Sequence, residues 1–318
     1  MERQGESLVN RAFQACITAT CIIFSVNAAA FNPYPGNDNP NTDDDVPGDP
    51  PITSPGTQWD DVPPDMVNSI ELTWKEMTGG FEGKTGARPR NGSISGFYNT
   101  ILDQVMQNNG KLNYCVRYES DVPVSPDLRD DIEAALRRNV NAWFSKLAGY
   151  NHFPHQHIDV NVVGWAVRNR STLQWNDDPV PVYVGDYYEN APQCAQVCGR
   201  FFHQEAGYSY PQCPGGKANH YDQSLWLTEG MNGGAGGDWG QRVGRSYFTG
   251  QVKSENLHIF LHEMGHGFGF PDYYNWRTWT QSTPEPYSVM VAGSAFEVTD
   301  WDRWMLRYTW DRLKPRWD

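Results

Sequence analysis

The stretch Ser254-Glu-Asn-Leu-His-Ile-Phe-Leu-His-Glu-Met-Gly-His-Gly-Phe-Gly-Phe-Pro-Asp272 constrains this chain more than any other. Leu257, Phe260, Leu261 and Met264 recur at three-four spacing, which predicts a helix with one buried stripe and Ser254 as its N-cap. His262 and His266 stand one turn apart on a neighbouring face, with Glu263 between them. Gly267 and Gly269 are poor helix-interior residues, so the helix is expected to stop there, and Gly269 suits a positive φ. A chain that reverses at Gly269 can bring Asp272 back toward the imidazoles. Two imidazoles at i and i+4 can grip one metal ion, and a carboxylate between them can take a proton from a water on that ion.

The rest of the chain supplies a scaffold for such a helix. Asn113–Tyr118 reads as a strand, and Ser125 with Pro126 opens a long helix. That helix runs through Leu128, Ile132, Ala135, Leu136, Val140, Trp143, Phe144 and Leu147 to Gly149, with three-four spacing that makes one face core. His157–Val163, Val180–Val184 and Ser224–Thr228 read as strands, the second suited to an edge because of Pro181. A glycine-rich turn is expected at Gly230–Gly237, with Gly233–Gly237 a flexible loop, then a strand over Gln241–Phe248. Thr299-Asp-Trp-Asp302 carries a capping-box pattern for a last helix through Trp304, Met305, Tyr308 and Leu313. The order predicts an α+β fold: a twisted mixed sheet with a long backing helix, the histidine-bearing helix and a C-terminal helix.

The pattern His262-Glu263-x-x-His266-x-x-Gly269-x-x-Asp272 resembles the extended metzincin signature, with Asp where most members have His. Gly269-Phe-Pro-Asp-Tyr-Tyr274 is similar to the matching segment of immune inhibitor A-like peptidases, and aspartate in the third position occurs in snapalysin-type members. Downstream, Tyr287-Ser-Val-Met290-Val-Ala-Gly-Ser294 resembles the methionine turn beneath the metal in metzincins. The element order fits from about residue 113 to 318, although the specific motifs occupy only 262–305. The resemblance implies one catalytic Zn²⁺ held by His262, His266 and Asp272, with Glu263 as general base and Met290 beneath the ion. It implies a zinc-dependent endopeptidase acting on protein or peptide substrates. Some metzincins place a tyrosine two residues after the turn methionine; here that position is Ala292. A rival ligand set takes its third ligand from a later helix, and Glu297-Val-Thr-Asp300 superficially fits it.

Residues 1–30 read as a secretory signal peptide: an apolar run over Ala12–Val26, then Ala28 and Ala30 before Phe31. Residues 31–65 hold nine prolines and eight aspartates with no Lys or Arg, which reads as an acidic linker or a propeptide. That segment supplies eight of the thirteen net negative charges, so the catalytic domain expected at 66–318 is only mildly acidic. The charge balance excludes a nucleic-acid binder, and no apolar window beyond the signal is long enough to span a bilayer. The expectation is a secreted monomer with no membrane partner. Signal removal would leave Cys115, Cys194, Cys198 and Cys213, an even set that predicts two disulfides with the pairing open. A zinc knuckle at Cys194, Cys198 and Cys213 is the competing reading. Asn91 and Asn169 head Asn-x-Ser sequons.

The chain is 14% aromatic with 13 Trp, which motivates an alternative: a secreted, carbohydrate-binding protein on the same scaffold with little or no proteolysis. Trp276 and Trp279, just past Asp272, are candidate substrate contacts, while Trp301 and Trp304 sit at helical spacing and suit core. Leu225 and Trp226 are further candidate contacts, on a strand expected to offer its edge to an extended substrate. His152, His155 and His157 read as surface residues, and His258 as a packing or capping residue of the metal helix.

Overall fold

Period-two alternation along one strand sets the architecture. The computed structural model describes residues 61–78, 94, 98–206, 208–275 and 286–317. Two helices, α1 (Pro64–Met77) and α2 (Ile101–Gln107), precede strand β1 (Lys111–Glu119). Leu112, Tyr114, Val116 and Tyr118 of β1 enter one large apolar core, whereas Cys115 faces a second, smaller core on the other side. With both faces covered, β1 is buried along nearly its whole length.

The elements that follow are α3 (Pro126–Phe144), β2 (Asp159–Val167), β3 (Val182–Val184), the short pair β4 (Tyr187–Tyr188) and β5 (Ala191–Pro192), then β6 (Gln223–Thr228), β7 (Gly234–Gly237) and β8 (Gly240–Gly244). Helices α4 (Arg245–Gly250), α5 (His258–Gly267) and α6 (Asp300–Leu313) complete the order. The main sheet has six strands in the order β3-β2-β1-β6-β8-β7. All its neighbours are parallel except β7, which pairs antiparallel with β8 and forms one edge. This is a mixed α/β fold with a mostly parallel central sheet.

Local chemistry explains the helix ends. Ser125 Oγ accepts the Leu128 N–H at 3.1 Å and Pro126 starts α3, as expected. The regular helix ends at Phe144, and the chain reaches Gly149 through turns with φ +73° there. Thr299 and Asp302 close a reciprocal capping box on α6.

Four expectations are corrected. Helix α5 starts at His258, not after Ser254; the N–H of Leu257, just before it, is taken by Asn139 Oδ1 of α3 at 2.8 Å, while Ser254 Oγ bonds Gln251. The glycine run at 233–237 is not a free loop, because Gly234–Gly237 is strand β7. The expected strand over Gln241–Phe248 breaks at Gly244, where α4 begins. Finally, β6 lies inside the sheet between β1 and β8, so Leu225 and Trp226 offer no free edge. Leu225 is fully buried, and Trp226 is sandwiched by the guanidinium groups of Arg117 (3.8 Å) and Arg242 (3.7 Å).

The four cysteines form two disulfides, Cys115–Cys194 and Cys198–Cys213, which removes the zinc-knuckle reading. Among the described residues, no helix is long and apolar enough to cross a membrane. The expected signal peptide, most of the acidic segment, Asn91, Trp276 and Trp279 lie outside the described residues. The tail end of the acidic segment belongs to the packed part: Val62 is buried, Asp61 pairs with Arg303, and Asp65 sits in the first turn of α1.

Candidate metal centre

Helix α5 is held from three sides. Trp143 of α3 donates its indole N–H to Leu261 O at 3.1 Å, and β7 and β8 pack along its length. Beneath it, a Cβ on Gly265 would lie 2.2 Å from Met290 Sδ, so only glycine lets the helix settle on that methionine. Met290 is fully buried and occupies the turn that the sequence placed there. Asp302 organises this turn from the start of α6, accepting from Ser288 Oγ at 2.5 Å and Val289 N at 3.1 Å. The chain leaves α5 through Gly269 at φ +95°, and Tyr273 N–H donates to Met290 O at 3.1 Å. That bond ties the segment bearing Asp272 to the methionine turn.

The turn and the loop also orient the imidazoles. His262 Nδ1 lies 2.8 Å from Val289 O, and His266 Nδ1 lies 2.7 Å from Phe270 O. A carbonyl can only accept, so both rings carry their proton on Nδ1 and present the lone pair of Nε2. The ring planes are perpendicular (89°), with centroids 5.0 Å apart. Potential ligand atoms of His262, Glu263 and His266 all lie within 4.8 Å of one another. Asp272 Oδ1 approaches to 3.0 Å from His262 Nε2 and 3.6 Å from His266 Nε2. With the imidazoles deprotonated at Nε2, this group can hold a metal ion.

Protonation follows the same logic when no metal is bound. Burial disfavours charge on His262, but the hydrogen bond to Asp272 and the charges of Glu263 and Asp272 outweigh it and lift the imidazole to about 9. His266 is pushed down by burial and by charged His262. Burial works against ionisation of Asp272, yet its two histidine neighbours hold it below the usual carboxylate range. Glu263 is raised to about 7, chiefly by burial, with His262 opposing and Asp272 reinforcing the shift. A carboxylate poised near neutrality suits proton transfer in both directions.

One neighbour escaped the sequence reading. Tyr274 lies nearly parallel to the His262 ring (13°, centroids 6.4 Å apart), and its phenol bonds Asp272 and the backbone at Ala292. Burial and the Asp272 and Glu263 charges raise its pKa, so it remains a neutral donor. No tyrosine follows the turn methionine, but Tyr274 reaches that turn from the other strand of the loop. The signal for it was its spacing, two residues after Asp272.

The remaining candidates separate cleanly. Glu297 is exposed and outside the group, and Asp300 is engaged by Arg303. Trp301 is buried and Trp304 half-buried on α6. His152 and His157 are exposed, and His155 packs edge-on against Phe153. His258 meets Tyr247 Oη at 3.0 Å and the Phe296 ring. No protein-family model matches the chain, and no curated protein matches it in sequence.

Proposed function

We propose that the chain is a secreted zinc-dependent endopeptidase of the metzincin type. The observation that carries this reading is the convergence of two Nε2 lone pairs and Asp272 Oδ1, with Glu263 buried beside them. Two nitrogens and one oxygen are a donor set that suits zinc and leaves a coordination position open. His262, His266 and Asp272 would hold the ion, which when bound supplies a Lewis acid for a peptide carbonyl and acidifies water.

The protein groups have distinct tasks. Glu263, buried beside the group, accepts the proton of the attacking water and returns it to the leaving amine. Tyr274, whose phenol donates to Asp272, holds that carboxylate in place beside the histidines. The edge available to an extended substrate backbone is β7 and not β6. It lies directly over the base: a Cβ on Gly234 would meet Glu263 Oε1 at 2.5 Å, and one on Gly236 would meet Glu263 O at 2.0 Å. Glycine therefore lets a strand pass against the reacting carboxylate. The two disulfides fit the secreted location.

The test is purified Glu263→Ala assayed on an unfolded protein beside Asp272→Ala. Glu263→Ala should retain metal and lose roughly 10²–10⁴-fold in cleavage, and Asp272→Ala should lose metal as well. Undiminished cleavage by Glu263→Ala rules out this mechanism. Metal retained by Asp272→Ala rules out that ligand.

A further inference from the structure

The disulfide side of the sheet encloses a cavity of about 270 Å³, none of whose lining residues belongs to the metal group. Its most unusual member is Arg200, which is 2% exposed. The guanidinium donates from Nε to Asn99 Oδ1 at 2.7 Å and from Nη2 to Gln107 Oε1 at 3.1 Å and Tyr98 O at 3.3 Å. All three acceptors are neutral, and Nη1 takes part in none of these bonds. Among the described residues no carboxylate lies within ion-pair distance of Arg200. Tyr208 covers the flat face of the group, with its ring centroid 3.5 Å from Cζ. A buried guanidinium without a counter-charge is costly, and such groups in native proteins are normally paired.

A second group in the cavity points the same way. Tyr210 Oη is buried and faces the Arg200 guanidinium, its only polar neighbour within bonding reach among the described residues. The phenol oxygen can accept from the guanidinium, which leaves the phenol proton as a donor aimed into the cavity. The Tyr210 ring stacks on His220, with centroids 4.6 Å apart. Nδ1 of His220 faces Lys217 O, and its Nε2 lies 3.0 Å from Asp222 Oδ1. With an acceptor at each nitrogen the imidazole is cationic, but buried Asp222 balances that charge. Arg200 has no carboxylate in direct contact, since Asn99 stands between it and Asp238, and exposed Lys217 adds a second positive charge at the cavity mouth.

We propose that this cavity binds a small oxyanion, held by Arg200, Tyr210 and Lys217. The site is built in advance of its ligand. The Cys198–Cys213 disulfide closes the loop that carries Arg200 and Tyr210, and the Arg200 N–H is fixed to Tyr221 O at 2.9 Å.

Calorimetric titration of the full chain with inorganic phosphate, and separately with acetate, at constant ionic strength tests this. One saturable site is expected. Tyr210→Phe, which removes one hydroxyl and keeps the ring stacked on His220, should weaken it roughly tenfold. Lys217→Ala, a surface change, should weaken it severalfold. Either anion could also meet a metal at His262, so the titration is repeated in His262→Ala, where the affinity should persist. Tighter phosphate than acetate would identify a tetrahedral oxyanion, and the reverse a carboxylate. Absence of a saturable site, or unchanged affinity in both Tyr210→Phe and Lys217→Ala, overturns the proposal and leaves an adventitious ion only. Neither result bears on the metal group, whose test is cleavage by Glu263→Ala.

Discussion

On the helix side of β1, Tyr114, Val116 and Tyr118 join a core that includes Trp143, Phe268 and Phe270. On the other side, Cys115 and Arg117 meet a long connection between β3 and β6 that contains little regular structure. The first side gains its stability from apolar area removed from water. The second has few large apolar residues and relies instead on two disulfides, stacked guanidinium groups and buried polar bonds: Arg117 donates to Pro192 O at 2.8 Å and Tyr188 O at 2.9 Å. A segment too polar to collapse by itself can still be given a fixed shape by cross-links. The consequence is a division of labour, with a packed wall behind α5 and a stapled polar wall around Arg200.

The largest expected effect comes from cutting into the packed side. Trp143 contacts Phe268 and Phe270 at ring separations of 5.2 and 5.7 Å and bonds the backbone just before His262. Trp143→Ala should cost about 3–5 kcal/mol in denaturant unfolding and should also loosen metal retention. Loss of stability with metal affinity intact would show that the core and the metal group are uncoupled. On the stapled side, replacing both Cys198 and Cys213 by Ser opens a loop with a sequence separation of 15. That change should cost about 3 kcal/mol by the chain-entropy argument while leaving metal retention unchanged.

The smallest effect is a pH dependence confined to the stapled side. Burial opposes charge on His220, but the bond to Asp222 and its charge prevail and raise the imidazole above its ordinary value. The stabilisation is therefore fully present below about pH 6.5, the unfolded value, and is lost as pH rises through the folded value. Melting temperatures measured from pH 6 upward should fall in the native chain and flatten in His220→Gln. An identical slope in the variant would place the titrating group elsewhere.

Much of the packed side was legible in the sequence. Three-four spacing and side-chain caps located α3 and α6, and the His262-Glu263-x-x-His266 spacing located the group that can hold a metal ion, because each signal is carried by residues adjacent on one element. What was missed depends on partners distant in sequence. The start of α5 is capped by Asn139, more than a hundred residues away, so Ser254 was the best local guess. Strand β7 has almost no side chains to alternate, and its conformation follows from packing against Glu263. Being interior is a property of β6 that only sheet order reveals. Tyr274 joins the group through a loop whose path turns on Gly269, which periodicity does not describe.

The glycine edge beside Glu263 has a meaning of its own. Gly234, Gly236 and Gly237 line a sheet edge with amides and carbonyls and carry no side chains. A ruler of that kind registers direction and spacing and is blind to residue type. Any choosiness about what lies along it must therefore come from side chains outside that strand.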